Sequence, residues 1–266
     1  MGRVYTSSDW HGNGDLGLRV LDWLSADDKL YFLGDAIDRG PDGIKLMGAL
    51  ISDPRVTYLK GNHEAFLEKY VPDLVNENEE EEEDNDAFCW FGNPADLWLE
   101  DNGGRATYNS LCEKTKEEQL WYVNQIKQMP LEERYVTKDG KVIILEHAGY
   151  TPGMTRGYRH DPLWDREHFN EDWWEEKYSD FYLVHGHTGV QHLKFFYGYN
   201  GQLPMTEEDM KHKYDWYKED TDYKPEVINY CNNHKFDIDM CTIASNRIAL
   251  LDLDTFETIY FDGEER

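Results

Sequence analysis

The chain has no paired-cysteine motif, few basic residues and no long apolar run, and each shortage removes a class of protein. Its four cysteines, Cys89, Cys112, Cys231 and Cys241, are scattered and form no C-x-x-C. Disulfide scaffolds and zinc knuckles need clustered or regularly spaced cysteines, so neither is expected, and reduced thiols in a cytoplasmic protein are. Lys and Arg number 27 against 54 acidic residues, a formal charge of −27. A nucleic-acid binder needs basic surface to neutralise phosphates, so no stable nucleic-acid binding is expected. The acidity does not exclude a phosphate-ester substrate, because bound divalent cations reverse the field locally. The longest apolar runs, such as Val142–Leu145 and Phe181–Val184, are too short to cross a bilayer. Met1-Gly2-Arg3-Val4-Tyr5 enters strand-like sequence at once, without the charged-then-apolar layout of an export signal. No membrane association and no export are expected.

What the chain does have is packing material. With 266 residues, 39% of them hydrophobic and including 9 Trp and 18 Tyr, it can bury a full core, which fits one domain over residues 1–266 with insertions. Short β-branched or aromatic runs alternate with amphipathic stretches in the first half. Val4–Ser7, Leu30–Leu33, Val56–Leu59, Val142–Leu145 and Phe181–Val184 read as strands. Leu16–Leu24 reads as a helix with Leu16, Val20, Leu21 and Leu24 on one face, and Ile44–Ile51 as another. Ile248–Leu253 and Thr258–Phe261 read as a closing antiparallel hairpin. The expected fold class is a layered α/β sandwich flanked by helices. Two stretches look inserted. Residues 65–131 are helix-rich, carry Trp90, Trp98 and Trp121, and read as a helical cap; the acidic run Glu77 and Glu79–Asp84 within it should stay solvated. Residues 197–233 are polar, rich in Tyr, and have no clear periodicity.

The chemistry follows the strands. Asp9-Trp10-His11-Gly12 comes after the first, Gly34-Asp35-Ala36-Ile37-Asp38-Arg39-Gly40 after the second and Gly61-Asn62-His63-Glu64 after the third. His147-Ala148-Gly149 and His185-Gly186-His187 follow the next two. In open α/β sheets ligands bind at the carboxyl ends of strands, and glycine there lets backbone approach a small ligand closely. Asp, His and Asn without cysteine suit Mn²⁺, Fe or Zn²⁺. So many donors exceed the needs of one tetrahedral ion, and two ions sharing one carboxylate is the economical arrangement. Any one motif arises by chance; five in order, each ending a strand, do not.

The order D-x-H-G, G-D-x-x-D-R-G, G-N-H-E, H-A-G and G-H-T resembles the calcineurin-like metallophosphoesterases, and the second and third motifs resemble their phosphoprotein phosphatase branch. Trp98-Leu99-Glu100-Asp101-Asn102-Gly103-Gly104-Arg105-Ala106-Thr107 is similar to the W-x-x-N-G-G-x-x-T stretch of bacterial and phage members, and Leu163-Trp164-Asp165-Arg166 to their L-W-x-R element. The likeness spans about residues 3–192. It implies that Asp9 and His11 hold a first divalent metal, that Asp35 bridges two, and that Asn62, His147 and His187 complete the second. It implies in-line attack on a phosphomonoester by a metal-bridging hydroxide. Arg39 and Arg166 would grip the phosphoryl oxygens, and His63, oriented by Asp38, would be the general acid. Elementary chemistry agrees: two metals acidify and align a shared water, the guanidinium fork matches phosphate oxygens, and an alkoxide leaving group needs a proton that a histidine beside a carboxylate can supply. Mn²⁺ is the expected metal. By the same resemblance, Ser8 stands where many relatives have Gly, a mild change that leaves the ligands intact, and Gly189 where proline is frequent, which would leave the loop after His187 freer.

Other candidates have plainer readings. His185 reads as strand packing or support for the ligands, and His160, His168, His192, His212 and His234 as surface histidines. Glu64 either orients its loop or is solvated at a helix start. Glu146 points away from His147 by one-step alternation. Arg3 and Arg105 read as structural, Tyr108 as a cap residue, and Trp164, Trp173 and Trp174 as packing. The leading expectation is a serine/threonine-type phosphoprotein phosphatase acting on a phosphorylated protein, peptide or small phosphate ester. A symmetrical dinucleoside-polyphosphate hydrolase is its near rival. A nuclease is disfavoured by the missing basic stripe, and a metal-free scaffold by the complete ligand set.

Overall fold

Val4–Ser7 (β1), Lys29–Phe32 (β2) and Val56–Tyr58 (β3) form three neighbouring parallel strands, with β1 in the middle of a five-stranded sheet. The computed structural model describes residues 2–76, 94–150, 161–170, 181–190 and 224–263. The acidic run, Trp90, Trp173, Trp174, His160, His192, His212 and residues 197–223 lie outside that set. Helix α1 (Gly14–Trp23) links β1 to β2, and α2 (Gly43–Ser52) links β2 to β3. The predicted apolar stripe of α1 is buried at Leu16, Val20 and Leu21, and the Asn13 side chain caps the helix by accepting from the Leu16 N–H at 3.4 Å.

Between β3 and the next strand the chain is helical: α3 (Asn62–Asn76), a short turn α4 (Pro94–Asp96) running into a π-helical turn over Leu97–Asp101, then α5 (Arg105–Cys112) and α6 (Lys116–Gln128). Thr115 and Glu118 form a reciprocal capping box at the start of α6. Strands β4 (Glu132–Val136), β5 (Val142–Glu146), β6 (Phe181–His185), β7 (Ile228–Tyr230) and β8 (Lys235–Asp237) build a second sheet in the order β4-β5-β6-β8-β7, with β5, β6 and β8 parallel. After the turn α7 (Thr242–Ser245), β9 (Arg247–Asp252) and β10 (Thr258–Asp262) form the expected antiparallel hairpin, which joins the first sheet beside β1.

Period-two alternation sorts the side chains into layers. Ile248 and Leu250 of β9, with Leu30 and Phe32 of β2, pack against the helices with Trp10, Leu16, Leu46 and Trp98. From the opposite face Leu251 meets Ile143, Leu145, Val184 and Phe236 of the second sheet, so a dry layer separates the two sheets. Strands β4, β7 and β8 escape sequence reading because three-residue or charged edge segments carry no usable period. Lys235 in β8 is buried with its Nζ donating to the His168 carbonyl at 2.6 Å and lying over the Tyr230 ring. Among the described residues no helix is long and apolar enough to cross a membrane.

Candidate active site

The carboxyl ends of β1, β2, β3, β5 and β6 deliver Asp9 and His11, Asp35, Asn62 and His63, His147, and His187 to one place. All but His187 are 2% exposed or less. The loops that carry them are strained. Asp9, His11, Asp35, Asp38, Arg39 and His187 all have φ between 44° and 70°, a region that non-glycine residues adopt at a cost of about 1–3 kcal/mol each. Such strain persists only where the surroundings over-determine it. Gly34 shows why the motif needs glycine: at φ 107°, a Cβ there would lie 2.5 Å from the Gly61 backbone and 3.0 Å from His147 Nδ1.

The imidazoles of His11, His147 and His187 are each aimed by a backbone carbonyl or by Asn62. His11 Nδ1 donates to the Ile37 carbonyl at 3.0 Å, which turns Nε2 inward to 3.7 Å from Asp9 and 3.9 Å from Asp35. His147 Nδ1 donates to the Leu33 carbonyl at 2.8 Å and presents Nε2 to Asn62 Oδ1 at 2.8 Å and to Asp35 at 3.4 Å. His187 Nδ1 lies 2.9 Å from the same Asn62 oxygen, and the His187 N–H donates to Asp9 at 3.0 Å. Two three-residue groups result, each with ligand atoms within 4.8 Å of one another: His11, Asp35 and His63, and Asp35, His147 and His187. Asp35 belongs to both. In the first group the geometry places His63 where the sequence put Asp9, whose carboxylate instead sits beside His11.

The electrostatics describe a site built for positive charge. Burial pushes the Asp9 carboxyl well up, and nearby Asp239 adds to the shift. Burial likewise pulls His11 and His187 well below the usual imidazole range. For Asp35 burial works upward, but His147 and His63 outweigh it and hold the carboxyl well below its ordinary value. His147 responds in kind: burial lowers it, yet Asp35, Asp9 and Glu64 raise it to about 9. The Nε2 atoms of His11 and His187 are buried without a hydrogen-bond partner among the described residues. His11 Nε2 without a partner, and His147 Nε2 and His187 Nδ1 converging on Asn62 Oδ1, combine with the hard carboxylate and amide oxygens into a donor set that fits divalent cations.

His63, a member of the first group, also forms a pair with Asp38. His63 Nδ1 is 2.6 Å from Asp38, and Arg39 Nη2 reaches His63 Nε2 at 3.3 Å. A guanidinium only donates, so in this arrangement Nε2 accepts and Nδ1–H donates to Asp38. Arg166 Nε donates to Thr188 Oγ1 at 3.1 Å, which places it next to His187. Both predicted arginines therefore flank the metal-ligand groups, Arg39 on the His63 side and Arg166 on the His187 side.

Glu64 resolves an alternative that sequence left open: it is fully buried, not solvated. Its Oε2 accepts from the N–H groups of Asp35 and Gly61 at 2.8 and 2.9 Å, and its Oε1 from Ala36 N–H and Tyr58 O–H at 3.0 and 2.8 Å. One carboxylate thus ties the loop carrying Asp35 to the loop carrying Asn62 and His63. Only the spatial meeting of two loops 28–29 residues apart reveals it. His168 also departs from expectation. It is buried rather than on the surface, with Nε2 bonded to the Ala148 carbonyl at 2.9 Å. His234 is half-buried, bonded to the Phe181 carbonyl at 3.0 Å and stacked on Tyr182. His185 is held by Tyr230 Oη at 2.7 Å, and burial lowers it to about 3, so it stays neutral. Arg105 pairs with Glu100 and Arg3 with Asp252, and Tyr108 packs half-buried against the helical core. Trp164 is 39% exposed rather than packed away, edge-on to His187 at 5.5 Å and to Phe66 at 5.4 Å.

The decisive comparison is with protein-family models: the model of the calcineurin-like phosphoesterases matches residues 2–238. The chain belongs to that family. It is therefore a hydrolase of phosphate esters. Among solved structures, a candidate diadenosine tetraphosphatase aligns with a TM-score of 0.54 and 16% identity over 100% of this chain and 95% of its own. A protein serine/threonine phosphatase from Saccharomyces cerevisiae aligns with a TM-score of 0.54 and 11% identity over 100% of this chain and 81% of its own. A cold-active protein-tyrosine phosphatase of a psychrophilic Shewanella species aligns with a TM-score of 0.51 and 14% identity, covering 98% and 77%. At these identities the likeness is one of fold. A comparison with curated proteins returns no match.

Proposed function

We propose that this calcineurin-like phosphoesterase hydrolyses phosphomonoesters with poor leaving groups, as a serine/threonine-type phosphoprotein phosphatase. The observation that carries the reading is the buried Asp38–His63 pair, 2.6 Å apart, whose His63 Nε2 lies 3.8 Å from Asp35, the residue shared by both ligand groups. An alkoxide leaving from a phosphoserine needs a proton at the moment of cleavage, whereas a phosphate leaving from an anhydride does not. A histidine held by a carboxylate and facing the site is the feature that an ester substrate requires.

Asp9, His11 and Asp35 on one side, and Asp35, Asn62, His147 and His187 on the other, would hold two divalent metals, with Mn²⁺ preferred. Ions bound there would lower the pKa of a shared water and offset charge developing on the phosphoryl oxygens. Arg39 and Arg166 approach from opposite sides, and their forks would fix the phosphoryl group. Turning toward phosphate takes Arg39 off His63 Nε2 and frees that nitrogen to carry the proton. His63→Asn should then cost about 10²–10⁴-fold in kcat on an alkyl phosphate and far less on p-nitrophenyl phosphate, whose leaving group departs without protonation. Equal losses on both substrates would remove the general-acid role.

One observation favours the rival reading. Trp164, half-exposed beside His187, offers a face on which a nucleobase could stack. A product-resolved assay with Mn²⁺ decides between them, with a phosphoserine peptide and diadenosine tetraphosphate offered to the same enzyme. Inorganic phosphate from the peptide with little nucleotide cleavage supports the phosphatase. Rapid ADP formation with slow peptide turnover replaces it with the dinucleotide hydrolase.

A further inference from the structure

We propose that the cap segment Trp98–Thr107 is a positioning device for proton delivery: it holds the Asp38–His63 pair and Arg39 from outside the metal-ligand groups. The inference rests on the reading of His63 as general acid. Asp38 and Arg39 stand at φ 70° and 64°, so two consecutive non-glycine residues occupy left-handed backbone and need external restraint. That restraint comes from one stretch. Trp98 Nε1 donates to Asp38 Oδ2 at 2.7 Å, Thr107 Oγ1 accepts from the Asp38 N–H at 2.8 Å, and the Gly103 carbonyl accepts from the Arg39 N–H at 2.9 Å.

Asp38 Oδ2 therefore receives two donors, the indole N–H and His63 Nδ1–H. A carboxylate held by one donor can rotate about its own axis. A second donor on the same oxygen fixes the direction from which His63 is held, and so the direction in which Nε2 points. Trp98 and Thr107 are buried, at 0% and 1% exposure, so neither offers itself to substrate. The two glycines make the approach possible. A Cβ on Gly104 would lie 2.3 Å from Trp98 Nε1, and one on Gly103, at φ 76°, would lie 2.9 Å from Arg39 Cγ. Trp98 sits in the π-helical turn Leu97–Asp101, a rare conformation that is frequent at functional sites. The spacing of Trp98, Gly103, Gly104 and Thr107 is thus explained by what each gives to Asp38 and Arg39, a demand that metal binding alone does not make.

The test separates positioning from general support. Trp98→Phe keeps an aromatic ring against Tyr70 and removes the donor together with the volume of the indole's five-membered ring; Thr107→Val, of nearly equal shape, removes the acceptor and Thr107→Ser restores it. Each is assayed with Mn²⁺ on a phosphoserine peptide and on p-nitrophenyl phosphate, with metal content counted. The expected result for Trp98→Phe and Thr107→Val is a loss of about ten- to a hundred-fold in kcat on the peptide, a fraction of what general acids contribute. Loss on p-nitrophenyl phosphate should stay under about three-fold, with two metals retained and Thr107→Ser close to wild type. Equal losses on both substrates, or none on either, overturn the proposal. If Trp98→Phe does not fold, the Thr107 pair decides by the same criteria. His63→Asn run alongside shows which claim has failed. If it distinguishes the substrates and the cap variants do not, the positioning role falls alone; if it does not distinguish them, the general-acid reading falls with it.

Discussion

Asp35→Asn should leave a folded protein that no longer holds two metals and no longer turns over. Asp35 is the one residue common to both ligand groups, and its carboxylate lies 3.4 to 3.9 Å from His147, His63 and His11. The substitution keeps shape and an oxygen that can still accept the His63 N–H, so the loop retains that bond. It removes the negative charge that would attract both cations at once. Losing the several kcal/mol that metals supply to a phosphoryl-transfer transition state corresponds to at least about a thousand-fold in kcat. Metal analysis of the purified variant should show fewer than two ions per chain, with the circular dichroism spectrum unchanged. Full activity in a variant loaded with two metals would sink the bridging assignment.

Glu64→Gln should unfold more readily than the change of one atom suggests. All four groups around the Glu64 carboxylate are donors: three backbone N–H groups and the Tyr58 hydroxyl. Whichever way a Gln amide is turned, its NH₂ faces two of them. Burial raises the Glu64 carboxyl, and Asp35 adds to the shift, while the bonds from the Asp35 N–H and Tyr58 oppose it. An unsatisfied buried donor costs about 1–3 kcal/mol, so a loss of about 2–4 kcal/mol is expected in urea unfolding of the metal-free protein. Because Glu64 anchors the loops of both Asp35 and Asn62, metal affinity should fall in parallel. A stability change under about 0.5 kcal/mol would mean that the four bonds contribute little.

The candidate site was legible to an unusual depth because its chemistry is written locally. Each motif directly follows a strand, and each strand is a short apolar run that can be recognised without tertiary information. Asp9, His11, Asp35, Asn62, His147 and His187 come together in space because parallel strands present their carboxyl ends on the same edge. The readings that failed concern residues whose environment is assembled from distant segments. His168 reads as a surface histidine because it matches no motif; it is buried, bonded to the Ala148 carbonyl and packed against the rings of Phe169 and His185. Trp164 looked like packing, yet its contacts leave it at the rim of the site.

By itself the sequence determined seven of the ten described strands in chain order, the motifs that follow five of them, and the family. Strand propensity, alternation and the strand-end motifs are short-range properties that survive in one dimension. Tertiary structure alone decided what supports those donors. Glu64 bridges two loops, and Trp98 and Thr107 reach back to Asp38 across 60 and 69 residues. A hydrogen bond is specified by where two atoms meet in space. No period or motif records that meeting until the sheets and helices have closed around it.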